Sequence, residues 1–345
     1  MISRFASNVV LSKVRAMYGR RLIKKDYLDL LNCKSVGEIA SILKCKSDYF
    51  QILQELNESN VHRGQLEALI KKKIFYDTGA ICRYELSTGE QFSGYIIMRM
   101  EIEQILHTLR LLSAGKSPRY IYSMPLFFNK HTKINLPALI KVENFKDFLE
   151  ALSGSRYRKI LAPFEPRAGE NILFSKIEVM LYFQLYNTIF DVIKKYTKGE
   201  AQKELYEIFN SYVDFYNFVR IVRLKKYYNT PPEDLYPLLL PFGTLRQKQI
   251  QDMVQAESYD KAIEMMKKTN AGRKIANIEF RYVDELPLRV NYLKCNRLIR
   301  FSVYPSVVMF SYIALCEIEL SNITSIIEGI RYKVPSEEIF KILVW

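Results

Sequence analysis

Apolar residues recur at spacings of three and four along nearly the whole chain, and this spacing limits the possible folds more than any other feature. The set Ile102, Ile105, Leu106 and Leu109 shows it clearly. Residues so spaced share one face of an α-helix, because a helix completes a turn every 3.6 residues. The few β-like stretches, such as 95–98 and 277–282, are short and lack flanking hairpin turns. The sequence therefore predicts an all-α protein.

The chain also matches itself in three places without a gap. The aligned apolar residues are Tyr27, Leu30, Leu31, Val36, Ile39 and Leu43 in the first copy; Leu136, Leu139, Ile140, Phe145, Phe148 and Leu152 in the second; and Ile250, Met253, Val254, Tyr259, Ala262 and Met266 in the third. Solenoid repeats are about 20–50 residues long, and these copies lie roughly 110 residues apart. We interpret them as a triplicated helical module.

A second repeated pattern joins an acidic residue to an amide three residues later. The pairs are Glu101 with Gln104, Asp214 with Asn217, and Glu319 with Asn322. The first two segments each end in an arginine, Arg110 or Arg223, and are followed by prolines and a tyrosine, Tyr122 or Tyr236. This register supports the same triplication.

The repeats predict the domain organisation. Residues 1–90 form a first helical module that is shared with the C-terminal helix, and residues 91–205 form the second module. Residues 206–300 form the third, and residues 301–345 are C-terminal helices that close the molecule. No Pro/Gly/Ser-rich linker separates these segments, so we expect structured connections between them.

Charge and residue usage suggest the compartment and the kind of partner. A net charge of +14 and a pI near 9.3 favour an anionic partner such as nucleic acid, phospholipid or an acidic protein. The five cysteines form no C-x-x-C pair and the three histidines are far apart, so we expect a reduced cytoplasm and no structural zinc site. The N-terminus lacks the apolar region of a secretory signal.

The longest uncharged run, residues 301–316, is shorter than the roughly 20 apolar residues that span a bilayer. It also contains Pro305 and several hydroxyl groups. We interpret it as a buried helix of a soluble protein that can sit beside a membrane.

Motifs for enzyme chemistry are absent. Residues 114–117 resemble the end of a phosphate-binding loop, but Arg110 occupies the position where that loop needs glycine. The zinc-protease, nucleophile-elbow and dinucleotide-binding patterns do not occur. Glu101 and Glu103 are two residues apart, so on a helix they point in different directions. We therefore predict no catalytic, cofactor-binding or metal-binding residues and no small-molecule substrate.

Taken together, these patterns resemble the C subunit of the V/A-type rotary ATPases, the prokaryotic counterpart of the d subunit of the vacuolar enzyme. The resemblance rests on residues 14–17 and 26–31, the three diverged modules, the acid–amide pairs and the closing segment 317–331. It implies a non-catalytic funnel of three helical modules with pseudo-threefold symmetry. Such a funnel links the rotating central stalk to the membrane rotor ring and lies peripherally on the cytoplasmic face of the membrane.

Candidate partner contacts follow from the repeats and the charge. The candidate interface residues are Arg110, Arg220, Arg223, Lys225, Lys226, Tyr122 and Tyr236. An internal role is the alternative for Arg110 and Arg223, which would then pair with Glu101, Asp214 or backbone carbonyls at helix ends.

Two other functions fit the composition. A basic, all-helical nucleic-acid-binding protein would use the clusters at 20–25, 71–73 and 223–228 together with the 24 tyrosines. A scaffold unrelated to rotary motors is the third possibility. The distribution of charge along the chain makes nucleic acid the less favoured partner.

Overall fold

The computed structural model describes residues 2–46, 48–122, 124–167, 169–275, 278, 280 and 282–345. The side chains of residues 2–7, 122 and 274 lie outside this description. The β-like stretch at 277–282 therefore falls partly outside the described residues.

Helices account for most of the described chain. The α-helices are α1 Ile2–Tyr18, α2 Lys24–Leu31, α3 Val36–Lys44, α4 Phe50–Leu53, α5 Arg63–Tyr84, α6 Gly89–Ser113, α7 Leu136–Leu139, α8 Phe145–Ala151, α9 Arg156–Leu161, α10 Phe174–Tyr196, α11 Gly199–Tyr228, α12 Pro232–Leu235, α13 Gln247–Gln255, α14 Tyr259–Lys268, α15 Leu286–Phe301, α16 Pro305–Arg331 and α17 Ser336–Ile342. Short 3₁₀ helices lie at Glu58–Asn60, Ser117–Tyr122, Leu126–Phe128, Ala162–Phe164, Tyr236–Leu238, Gly272–Ile275 and Val283–Glu285. No β-strand occurs in the described residues, so the predicted all-α class is confirmed.

The chain divides into two compact units. Unit 1 consists of Met1–Glu90 and Val192–Trp345, and unit 2 consists of Gln91–Asp191.

Two clusters of buried apolar residues join helices within the described part of unit 1. The first joins α2, α3 and α5 to the later half of α16 and to α17, with fully buried residues such as Leu30, Ile39, Leu66 and Ile326. The second joins α11 to α13, α14 and the start of α15, around Phe218, Met253 and Met266. The first cluster therefore ties the N-terminal and C-terminal segments of the chain together.

Helix α16 is the most buried long helix of unit 1. It is the one helix of the described chain that is long and apolar enough to cross a membrane. Within its apolar stretch of 18 residues, 78% is buried inside the protein. Its N-terminal part contains the buried residues Val307, Val308 and Met309. The predicted buried helix over residues 301–316 is confirmed from Pro305 onward. Pro305 is the first residue of α16, a position that proline favours.

Unit 2 has buried apolar residues on its long and short helices. Ile102, Ile105 and Leu109 on α6 are buried, as are Leu139 and Phe148 on α7 and α8. Helices α7, α8 and α9 pack on one another in chain order. The periodicity of α6 thus identified its buried face correctly.

The three sequence copies fold into similar local structures. In each copy, a helix at the first aligned apolar residues is followed by a second helix: α2 and α3, α7 and α8, and α13 and α14. Each second helix has a polar N-cap whose side chain accepts a hydrogen bond from a backbone N–H three residues later, as expected for Ser and Asn caps. The capping bonds are Ser35 with Glu38, Asn144 with Asp147, and Ser258 with Lys261.

Candidate partner interface

The acid–amide pair on α11 holds the segment that follows this helix. Asn217, which is buried, donates from Nδ2 to the carbonyl of Leu240 at 2.9 Å and accepts from the N–H of Leu240 at 2.8 Å. Asp214 accepts from the backbone N–H groups of Thr244 and Leu245 at 2.8 and 3.1 Å and from the Thr244 hydroxyl at 2.6 Å. Burial raises the pKa of Asp214, while these three hydrogen bonds oppose that shift.

Gly243 makes this close approach possible. Its φ of 107° lies in a region that side chains disfavour, and a Cβ there would come within 2.3 Å of Asp214 Oδ1. The glycine lets the backbone turn directly over the carboxylate.

The pair on α16 holds the two ends of the chain in the same way. Asn322 donates to the carbonyl of Val344 at 2.7 Å and accepts from the N–H of Val344 at 2.9 Å. Glu319 accepts from the N–H of Leu22 at 3.0 Å and from the hydroxyl of Tyr49. Its Oε2 also lies 3.2 Å from Nε of Arg21, so a buried carboxylate has both a charged partner and two hydrogen bonds.

Two of these contacts are equivalent in the sequence alignment. Leu22 and Leu245 each lie five residues before an aligned apolar residue, Tyr27 or Ile250. Both donate a backbone N–H to the acid of the corresponding pair. The repeated acid therefore has the same local partner in these two copies.

The pair on α6, in unit 2, uses side chains as partners. Glu101 accepts from the hydroxyl of Thr132 at 2.6 Å and from that of Tyr157 at 2.8 Å. Gln104 accepts from the hydroxyl of Tyr120 at 2.9 Å. Burial, followed by the nearby Glu101, raises the pKa of Tyr157, which keeps this phenol protonated as a donor.

Arg110 and Arg223 both make contacts within the chain, but in the described residues neither pairs with Glu101 or Asp214. Arg110 donates from Nε to the Leu106 carbonyl at 3.3 Å on its own helix, and its guanidinium lies 5.9 Å from the ring centre of Phe174. Arg223 pairs with Asp284 at 3.1 Å. The reason is spatial: Glu101 and Asp214 lie more than two turns earlier on the same helices and are bonded to the groups described above.

The other candidate cations cluster at the C-terminal end of α11. Lys225 donates to the Ala256 carbonyl at 2.7 Å, and burial lowers its pKa. Lys226 lies over the rings of Tyr227 and Tyr259, 5.4 and 5.0 Å from their centres. These lysines and the exposed Arg223 form a basic end on α11 in unit 1.

Arg220 connects this end of α11 to the segment that contains Tyr236. It donates to the Leu238 carbonyl at 3.3 Å and to the Tyr216 hydroxyl at 2.8 Å.

Tyr236, at the start of a 3₁₀ helix, is half-buried. The side chain of Tyr122 lies outside the described residues. Arg110 belongs to unit 2, so unit 1 brings together five of the seven candidates: Arg220, Arg223, Lys225, Lys226 and Tyr236.

A substitution at Asn217 tests how strongly an amide holds the segment after its helix. We expect Asn217→Leu to lower the free energy of unfolding by about 1–3 kcal/mol, because both backbone groups of Leu240 lose a partner in a buried site. Asn187→Leu, on an exposed helix surface, is the control and should have little effect. Equal urea midpoints for the two variants would show that Asn217 does not act as a clasp.

Comparison with known proteins places the whole arrangement in a family. The model of the ATP synthase (C/AC39) subunit family matches residues 10–342. The chain belongs to this family. The match therefore includes all three acid–amide pairs and the three capped helix pairs.

Relatives within the family have low identity but high coverage. The A-type ATP synthase C subunit of Pyrococcus furiosus is 22% identical over 96% of this chain and 88% of its own length. That of Methanosarcina mazei is 23% identical over 77% of this chain and 71% of its own length. The Pyrococcus horikoshii protein is 20% identical, again over 96% and 88%. Each of these relatives is named as the C subunit of an A-type ATP synthase, a subunit of a larger complex.

Proposed function

We propose that this member of the C/AC39 family is the central-stalk adaptor of a V/A-type rotary ATPase. It would link the rotating stalk to the membrane rotor ring and so couple ATP hydrolysis or synthesis to ion transport. The observation that carries the proposal is the family match over residues 10–342, together with relatives named as the C subunit of A-type ATP synthases. The adaptor performs no chemistry of its own and binds no cofactor.

The proposed adaptor is a funnel of three modules with pseudo-threefold symmetry. Three capped helix pairs support this arrangement, as do the acid–amide pairs, which hold a following backbone segment in two of the three copies. Under this proposal the first module consists of residues 1–90 with the C-terminal helix, the second of 91–205 and the third of 206–300, and residues 301–345 close the funnel.

A torque-transmitting part must be stiff, and the contacts of this chain suit that task. Packed interiors transmit strain. Asn217 and Asn322 each fix a following segment with two hydrogen bonds, and Glu319 ties the N-terminal segment to α16. We infer that the segments after the long helices move with these helices.

The partners are the central-stalk subunits and the rotor ring, with peripheral contact to the cytoplasmic face of the membrane. The basic end of α11, with Arg223 and Lys226 at its surface, is the proposed protein-binding surface. Exposed cations of this kind increase the rate of association with an acidic partner more than they increase the affinity of the complex.

Co-sedimentation with detergent-solubilised rotor rings stripped of their own adaptor tests the proposal. We expect saturable binding near one chain per ring, and only weak, salt-sensitive binding of DNA or RNA in a parallel gel-shift titration. The double variant Arg223→Glu/Lys226→Glu should bind ring or stalk more weakly, with Lys146→Glu as the exposed control in unit 2. Absence of ring binding, with nucleic-acid binding that persists at physiological salt, would overturn the adaptor assignment.

A further inference from the structure

Three helix-to-helix turns in unit 1 share a composition. The turns join α5 to α6, α10 to α11 and α15 to α16. Each has a cation, an exposed aromatic residue, a buried polar residue and then an exposed side chain: Arg83-Tyr84-Glu85-Leu86, Lys195-Tyr196-Thr197-Lys198 and Arg300-Phe301-Ser302-Val303. We call these twelve residues, together with Lys13, the hairpin-tip surface.

Successive contacts between helices place the three turns, or tips, near one another. Lys13 lies 4.5 Å from the ring centre of Tyr84, and Arg15, two residues on, donates to the Ser302 carbonyl at 2.7 Å. The Ser302 hydroxyl donates to Glu204 at 2.6 Å, within the early turns of α11. One end of unit 1 therefore displays all three tips.

The buried polar residue stiffens each tip. Glu85 accepts from the backbone N–H and the hydroxyl of Thr88. Thr197 donates its hydroxyl to the Ile193 carbonyl at 2.6 Å, and Ser302 accepts from the N–H of Tyr304 at 3.3 Å. These bonds fix the turns, so that the neighbouring apolar side chains project at defined positions.

Several apolar side chains of this surface are among the most exposed in the described residues. Phe301, Leu86 and Val303 are 76%, 68% and 67% exposed, and Tyr84 and Tyr196 are also exposed. Leaving such side chains in water forgoes the free energy of their burial. Their common position at one end of unit 1 points to a partner that covers them.

Charge identifies the class of partner. The surface contains the cations Lys13, Arg83, Lys195, Lys198 and Arg300. Its acid, Glu85, is buried and already bonded, and the exposed acids Glu90 and Glu200 follow in the first turns of α6 and α11. Cations flanking apolar side chains suit an anionic lipid surface, where apolar groups enter the headgroup boundary and cations meet phosphates.

We propose that the hairpin-tip surface binds anionic phospholipid through Leu86, Phe301 and Val303 and the flanking cations. The inference deepens the proposed function and rests on it for the presence of a membrane beside the chain. A fluid surface suits three separate turns, because lipids rearrange around each projecting side chain.

Vesicle flotation of the purified chain tests this inference. We expect binding to vesicles of phosphatidylcholine mixed with phosphatidylglycerol and none to phosphatidylcholine alone. Leu86→Ser/Phe301→Ser/Val303→Ser should weaken binding about tenfold or more, because three inserted apolar groups are lost. The control, Tyr228→Ser/Tyr332→Ser, changes residues that are 71% and 68% exposed at the C-terminal ends of α11 and α16, and it should bind like the parent.

Fluorescence provides a second readout that does not depend on the triple variant. In a Trp345→Phe background, Phe301→Trp should show a blue shift of emission with anionic vesicles, and Tyr228→Trp should not. No vesicle binding by the parent, or equal loss in the tip and control variants, would overturn the inference. A parent that binds rotor rings but no vesicles would refute lipid binding and leave the adaptor function standing, whereas the reverse result would refute the adaptor.

Discussion

Replacement of Glu319 by alanine is expected to lower the free energy of unfolding by about 3–5 kcal/mol, because it leaves a buried arginine without its counter-charge. Glu319 is buried and lies 3.2 Å from Nε of Arg21. It also accepts from the N–H of Leu22 and the hydroxyl of Tyr49, which would lose their partner. Urea denaturation followed by circular dichroism measures the loss.

A double variant separates the effect of the lost charge from that of lost packing, and a surface variant serves as the control. Glu319→Leu combined with Arg21→Met should recover much of the lost stability, since a buried ion pair exchanged for apolar groups is often close to neutral. Glu257→Ala, which removes an exposed carboxylate paired with Lys261, is the control and should leave the midpoint unchanged. If Glu319→Ala unfolds at the same urea concentration as Glu257→Ala, the ion pair does not hold α16 to the N-terminal segment.

Stability is expected to fall steeply above about pH 9 because buried thiols must stay protonated in the fold. Burial raises the pKa of Cys82, Cys295 and Cys316 from 9.0 to about 12. Because the pKa is higher in the folded state than in the unfolded state, the contribution of the protonated thiols to the free energy of unfolding is complete below pH 9. It is lost as the pH rises through about 12. Each thiol then costs about 1.4 kcal/mol per pH unit, or about 4 kcal/mol for the three by pH 10.

Urea denaturation under reducing conditions at a series of pH values measures this slope. The triple variant Cys82→Ala/Cys295→Ala/Cys316→Ala should show a shallower decline, although it starts from lower stability. Cys45→Ala, at an exposed site, should keep the parent slope. Burial also raises the pKa of Tyr49, so tyrosines add a further decline above about pH 10. A triple variant that declines as steeply as the parent would contradict the assignment to thiols.

Much of the fold could be predicted from the sequence because its signals are local. Spacings of three and four identified the buried face of α6, where Ile102, Ile105 and Leu109 are buried. Self-alignment placed the helix pair that contains Tyr27 in register with the pair that contains Ile250, and the N-caps Ser35 and Ser258 of their second helices do coincide. Periodicity and capping act over a few residues, and a single sequence records them directly.

The contacts of the repeated acids could not be predicted because their partners are distant in the chain. The acid and the amide three residues later were visible, but no local signal connects Glu319 with Arg21 or Asn322 with the Val344 backbone. Arg223 pairs with Asp284, an acid on a later segment and not the acid of its own helix. Long-range pairing depends on how helices are placed in space.

The hairpin tips carried a signal that sequence reasoning missed. A cation followed by an aromatic residue occurs at Arg83-Tyr84, Lys195-Tyr196 and Arg300-Phe301. Each pair stands at the end of a stretch whose apolar residues have helical spacing. The uncharged run of residues 301–316 continues across the turn before Pro305, so this turn does not stand out in the sequence. The structure separates that turn from the buried helix, because Phe301 is exposed while Val307 is buried.

The most direct test of the adaptor account is a coupling measurement on the assembled rotary ATPase with and without this chain. We predict that, without the chain, ATP hydrolysis by the head continues while ATP-driven ion uptake into vesicles is lost, and that adding the purified chain restores uptake. Full ion uptake in the complete absence of the chain would contradict the account, because the stalk would then reach the ring without it.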